Sequence, residues 1–205
     1  AIAPLAGDGE VTLTLTAKHE SNAAAITLLD ELEIEIMNIA GDYFYGYDQD
    51  SLVEVGFKLL KERGFTLSCA ESLTGGLFQA QLASLPGTSS ILNGGVICYQ
   101  DEVKKKVLSV KESTLKQHTS VSEKCAQELA KNVRELLSSD IGISFTGVAG
   151  PGSHEGQPAG TVWIGLSMKD QPTKTFLLNL GGGRNANRMR TTKYGWYYLI
   201  KELSK

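Results

Sequence analysis

The chain has no stretch approaching the roughly 18 uninterrupted apolar residues of a membrane span, and its N-terminus lacks a signal-peptide layout. These absences predict a cytoplasmic protein that meets no membrane. Cysteine is scarce: Cys69, Cys98 and Cys125 are the only three. No two of them form CxxC, and all lie in apolar or helical patterns, so buried reduced thiols are expected rather than bridges or a metal site. His19, His118 and His154 are scattered, with no other candidate ligand beside any of them, and His154 is expected at the surface. Positive charge is not in excess either, with 20 Lys+Arg against 23 Asp+Glu and a net charge of −3. A general nucleic-acid binder is expected to carry a basic surplus, so that class is disfavoured. There is no P-loop, no GxGxxG fingerprint, no internal repeat and no long low-complexity run.

What is present is ordinary in bulk and particular in its loops. The 205 residues are 41% hydrophobic and 21% charged, enough for one domain of usual size plus a smaller one. Twenty-two glycines exceed the usual roughly 7% and favour a fold with many tight loops. The chain starts at Ala1 in what reads as a loop, which leads us to expect a piece of something longer.

GEVTLTLTAK (9–18) alternates as a half-buried strand does, and 21–36 reads as a helix whose LEIEIM tail is ambiguous. GDYFYGYDQD (41–50) reads as an extended aromatic segment running into a turn. The expected boundary falls there, giving domains 1–47 and 48–205. Asp50 or Ser51 then caps a helix stopped by Gly64. FTLSCAE (65–71) is a short strand, 77–85 a helix, SILNGGVICYQ a strand and 101–109 a short helix. Ser120 with Glu123, or alternatively Ser122, caps the next helix, whose stripe is Ala126, Leu129, Ala130, Val133, Leu136 and Leu137. IGISFTG (141–147) is a strand, TVWIGLSM and KTFLLNL form an antiparallel hairpin, and a last helix covers about 185–202. This alternation predicts a layered α/β/α domain with a mixed sheet.

Three loops follow strands: AESLTGG (70–76), FTGVAGPGSHEGQPAGT (145–161) and GGGR (181–184). Ligands commonly bind beyond the carboxyl ends of parallel strands, and Gly75–Gly76 would open a helix suited to an anion. Tight turns alone would also explain these glycines. The run Lys104-Lys105-Lys106 is the other oddity. Placed at a helix start, three cations would be mildly unfavourable. A lysine that is to take a proton from a serine must be neutral, and both a helix N-terminus and a nearby cation act in that direction. Of the three, Lys104 is nearest the strand end and best placed to turn inward. Composition alone favours a solvated cluster.

AESLTGG, PGTSSILNGGVICYQDEVK, TGVAGP, PAGTVWIGL and GGR, in this order and at these separations, resemble the C-terminal domain of the competence/damage-inducible CinA family. Stand-alone versions of that domain are nicotinamide-nucleotide amidohydrolases. The resemblance covers about residues 48–205. GEVTLTLTAK and GDYFYGYDQDSL resemble the end of the family's KH-like middle domain, so a partial α+β KH-like domain is expected first. The family's N-terminal molybdopterin-binding-like domain is then expected to be missing from this chain.

The resemblance implies hydrolysis of the nicotinamide mononucleotide carboxamide by a serine and a lysine, with no cofactor and no metal. It places the serine nucleophile on Ser89, with Ser90 as a one-residue alternative, and the lysine base on Lys104. Tyr99 matches the tyrosine five residues before that lysine. Ser72, Thr74 and Gly75 of the ESxTGG motif, Thr146 and Gly147 of TG-x-AGP, and Arg184 match the substrate-holding positions. The chain departs from the family at YQDEVK, where YSNEAK is frequent, and at GGR, where GDR is. It also implies a homo-oligomer. The competing expectation is a non-catalytic binding or scaffold role in competence or DNA damage. Residues 1–47 offer only GDGE and GDYFYG, neither with the GxxG spacing of an RNA-binding KH loop, so no nucleic-acid partner is expected.

Overall fold

A computed structural model describes residues 1–205, which divide into two units, Ala1–Gln49 and Asp50–Lys205. In the smaller unit the alternating VTLTL segment forms β2 (Val11–Leu15), paired antiparallel with β1 (Ile2–Ala6). The expected loop at the N-terminus is therefore a strand. Both strands are almost wholly exposed, so the half-buried reading of VTLTL does not hold. Helix α1 (Asn22–Ala40) starts at Ser21, whose hydroxyl accepts from the Ala24 N–H, and runs straight through LEIEIM. The period-two alternation there leaves Ile34 61% exposed on the helix surface. Gly41–Tyr43 is a 3₁₀ turn rather than extended chain.

The larger unit begins with α2 (Leu52–Arg63). Ser51 and Glu54 form a reciprocal capping box at its start, and Gly64 ends it at φ 66°, where glycine carries no Cβ penalty. There follow β3 (Leu67–Glu71), α3 (Leu77–Ala83), β4 (Leu92–Ile97), α4 (Asp101–Lys106), α5 (Glu112–His118) and α6 (Glu123–Leu136). The chain closes with β5 (Ile141–Gly147), β6 (Thr161–Met168), β7 (Lys174–Asn179) and α7 (Arg184–Leu203). Helix α5 has no counterpart in the sequence reading. Ser122, not Ser120, caps α6, and Leu136 of the expected stripe is 52% exposed.

The strands form one mixed sheet in the order β4-β3-β5-β6-β7. β4 and β5 flank β3 in parallel, and β6 and β7 continue antiparallel, which makes the sheet mixed. Helices cover both faces, and the pleat of β5 shows how. Phe145 points to one side, tilted against Phe78 of α3, which in turn stacks on Trp196 of α7 at 4.2 Å. Its neighbour Ser144 points the other way and donates to the Ala126 carbonyl of α6. Helix α6 presses so closely that a Cβ on Gly165 would lie 2.3 Å from that same carbonyl. This is a three-layer α/β/α domain.

The topology also fixes where chemistry can gather. β3, β4 and β5 all point the same way, so their carboxyl ends open onto one edge of the layer. The turns that leave those three carboxyl ends collect there.

Candidate active site

The turn after β3 is held from below. Glu71, fully buried, accepts hydrogen bonds from the N–H groups of Gly76, Phe78 and Gln79 at the start of α3. A carboxylate thus caps the helix N-terminus that the sequence reading reserved for a ligand anion. Gly76 turns the chain there at φ 97°. Thr74 is completely buried with an unpartnered hydroxyl, its carbonyl accepting from Arg188, and Gly75 donates to the Ser72 carbonyl. Neither Thr74 nor Gly75 reaches the cleft; of that motif only Ser72 and Leu73 line it.

The cleft, about 480 Å³, lies beyond the ends of β3, β4 and β5 and is lined by Ser72, Tyr99, Gln100, Asp101, Lys104, Ser120, Thr146, Gly147 and Arg184, among others. That volume suits a small organic substrate, for which pockets run roughly 300–1,000 Å³. Lys104 is the chemically distinctive residue: its side chain is only 2% exposed, yet it lines the cleft. The Nζ donates to the Tyr99 carbonyl at 3.3 Å and to Asp101 Oδ1 at 3.2 Å. The lysines do not sit where the sequence reading put them. Because α4 is only six residues long, all three fall in its last turn, where cations are favourable. Lys105 and Lys106 moreover pair with Glu102, so they are not bare cations facing Lys104.

Tyr99 serves through two different atoms. Its carbonyl holds the lysine, while its phenol accepts a hydrogen bond from Arg184 Nη2 at 2.7 Å. Arg184 also donates to the Gly150 carbonyl and so ties the tyrosine to the Gly/Pro loop. Thr146 lines the cleft, but its hydroxyl is engaged with the Ser120 carbonyl at 2.6 Å.

The serine pair lies elsewhere. Thr88–Ser90 forms a 3₁₀ turn before β4, at the amino end of the strand whose carboxyl end carries Tyr99 and Lys104. The strand alone separates these ends by roughly 17 Å at about 3.3 Å per residue. Within one chain, Ser89 and Lys104 therefore do not meet, and neither Ser89 nor Ser90 lines the cleft. Within the turn, Thr88 is buried and bonded to the Leu82 and Leu85 carbonyls, and Ser90 donates to the Gly87 carbonyl. Ser89 alone presents an exposed hydroxyl without a partner in the chain.

Three participants escaped the sequence reading. Ser120 and Val121 line the cleft from the start of the α6 segment, and Glu155 closes over them. Its Oε2 accepts from both the N–H and the hydroxyl of Ser120. Desolvation pushes the Glu155 carboxyl up, but the hydrogen bonds from Ser120 and the Val121 N–H outweigh it and hold it below its usual range. Thirty-five residues separate this pair, so no local pattern announces it. His154, expected at the surface, is exposed but sits on the rim of the cleft. The cysteines are poor nucleophiles: burial pushes Cys98 up to about 11, partly offset by Lys104, and Cys125 to about 12.

Residues 49–203 match the model of the CinA C-terminal domain, and residues 1–46 match that of the damage-inducible protein CinA KH domain. Proteins of Bacillus mycoides and Bacillus cytotoxicus, each named as a competence-damage inducible protein, are 54% identical over 204 residues. That alignment takes in all of this chain and 50% of each of theirs, so the chain spans about half the length of these curated relatives. The solved structure of competence damage-inducible protein A from Klebsiella pneumoniae superposes with a TM-score of 0.72 at 34% identity, covering 76% of this chain and 98% of that one. A competence/damage inducible protein from Agrobacterium tumefaciens gives 0.72 at 26% identity, covering 79% and 99%. The chain belongs to the CinA family, with a KH domain preceding the family's C-terminal domain.

Proposed function

We propose that residues 50–205 carry an amidohydrolase that converts nicotinamide mononucleotide to nicotinate mononucleotide and ammonia. The observation that carries the reading is Lys104: a lysine almost wholly buried, its amine held by Tyr99 and Asp101, in the lining of a cleft of substrate size. Burying an ammonium group is expensive, and folds rarely do so without a use for it. Membership of the family supports the reaction class.

In this reading the Lys104 amine takes the proton of a serine hydroxyl as its oxygen attacks the carboxamide carbon. Ala149 and Gly150 lie in the loop lining the cleft, and in this reading their N–H groups are the donors assigned to the developing oxyanion. Each such donor is typically worth roughly 3–4 kcal/mol in the transition state. The lysine then returns the proton to the departing ammonia. Water, deprotonated by the same amine, cleaves the acyl-enzyme and releases the carboxylate. Arg184 stands at the rim, fixed by Tyr99 and Gly150, where it can meet an anionic part of the substrate.

The test is ammonia release from nicotinamide mononucleotide, compared with free nicotinamide and with the dinucleotide. The wild-type protein turns over the mononucleotide fastest. Absence of turnover on all three overturns the reading and leaves a non-catalytic role for the cleft.

A further inference from the structure

The chain leaves β5 at the cleft, and the backbone hydrogen bonds of the next three residues can be followed one by one. Val148 still pairs as a strand residue does: its N–H donates to the Thr161 carbonyl, and its carbonyl accepts from the Gly160 N–H. Beyond it the ladder stops, and helix α7 takes over. The Ala149 carbonyl accepts from Asn187 Nδ2 at 3.0 Å, and the Gly150 carbonyl from Arg184 Nη1 at 2.9 Å. The N–H groups of Ala149 and Gly150 have no partner in the chain, although both residues line the cleft and Ala149 is only 5% exposed. Backbone donors are rarely left unpaired at such burial, so this pair points to an acceptor from outside the chain.

Asn187 is the unexpected member of this set. It sits in the first turn of α7 and is fully buried. Its Nδ2 donates to the carbonyls of Ala149 and Gly182, and its Oδ1 accepts from the Gly182 N–H. Carbonyls on one side and an N–H on the other fix which end of the amide is nitrogen. The two bonds to Gly182 span five residues and hold the GGGR turn by themselves. The third crosses 38 residues to reach the cleft loop. A trans peptide unit is planar, with its C=O and N–H pointing in opposite directions. Drawing the Ala149 carbonyl towards α7 therefore turns the Gly150 N–H away from that helix.

We infer that Asn187 is a positioning residue for the reaction: it fixes the Ala149–Gly150 peptide plane so that the Gly150 N–H faces the cleft as a donor to the substrate's carboxamide oxygen. That donor acts when the attacking oxygen bonds to the carboxamide carbon and the carbonyl electron pair moves onto oxygen. The inference rests on the amidohydrolase reading of the cleft. Asn187 itself touches no substrate; its effect passes through the peptide it holds. Arg184, three residues earlier on the same helix, holds the next carbonyl, so the first turn of α7 sets both.

Asn187→Asp tests this. The carboxylate has the size of the amide and can still accept from Gly182, but it has no N–H for Ala149 and repels both carbonyls. The peptide plane loses its anchor, and kcat on nicotinamide mononucleotide falls about 10²–10³-fold, as for loss of one oxyanion donor. KM stays within about threefold, because the ground-state carboxamide carries little charge at that oxygen. Asn187→Ser removes the same donor without adding a charge; it gives the same split and replaces the Asp variant if that one does not unfold cooperatively in urea. Crystals of either variant show the Ala149–Gly150 peptide rotated, with its N–H out of the cleft.

A kcat within about threefold of wild type in a folded variant overturns the inference and leaves the amidohydrolase reading standing. So does a raised KM at unchanged kcat, which would make Asn187 a support for substrate binding, or an unrotated peptide in a variant that has lost turnover. A wild-type protein that releases no ammonia from any of the three carboxamides overturns the reading and the inference together.

Discussion

Lys104 shows how a residue can be identified for an incomplete reason. The sequence placed three cations at a helix start and assigned the helix start and the two neighbouring lysines the task of keeping Lys104 neutral. In the structure those neighbours pair with Glu102, the helix ends at the lysines, and burial behind Tyr99 and Asp101 distinguishes Lys104. Its inward orientation was legible because it follows the strand end most closely; its partners depend on helix length, which sequence bounds poorly. Glu155 is the converse case, invisible in sequence and informative in the fold. Its carboxyl is held below the usual range, so its clasp on Ser120 is at full strength above the ordinary carboxylate pKa. The clasp is lost as pH falls through the lowered native value. Amide exchange in the 150–158 loop is therefore expected to accelerate on acidification. In Glu155→Gln the loop should exchange fast already at neutral pH, with little further change in acid.

At the scale of elements, the strands that build the site were the readable part. FTLSCAE, SILNGGVICYQ and IGISFTG are apolar runs bounded by glycine or polar turns, and each became a parallel strand ending at the cleft. β1 was missed because Pro4 and small residues carry little strand signal, and α5 because ESTLKQH is seven polar-rich residues without a clear apolar face. The α3 start was read as an anion site, and there the third dimension decided differently: Glu71 supplies the anion from inside the chain. Removing that carboxylate leaves three helix N–H groups without an acceptor in a buried turn. Glu71→Ala is expected to lower unfolding stability by about 3 kcal/mol, read from the urea midpoint at unchanged slope. It should also reduce turnover, since the same turn positions Ser72. A cost under about 0.5 kcal/mol would show that the cap is not holding the turn.

At the scale of the molecule, the division near residue 49 separates an exposed α/β hairpin unit from a three-layer domain that contains the whole of the described cleft. The solved relatives from Klebsiella and Agrobacterium consist almost entirely of the matched domain. Residues 50–205 alone are accordingly expected to fold and to retain turnover within about twofold of the full chain, as measured by kcat/KM on one substrate. A drop of tenfold or more would give the first 49 residues a part in the site. No helix is long and apolar enough to cross a membrane.

Catalysis in this cleft depends on one buried lysine in its lining, Lys104. Ammonia release from nicotinamide mononucleotide, followed at substrate saturation for the wild-type protein and for Lys104→Ala, tests it most directly. The account predicts stoichiometric ammonia and nicotinate mononucleotide from the wild type, and a rate lower by about 10²–10⁴ in a variant that still folds. Undiminished release by Lys104→Ala would contradict it.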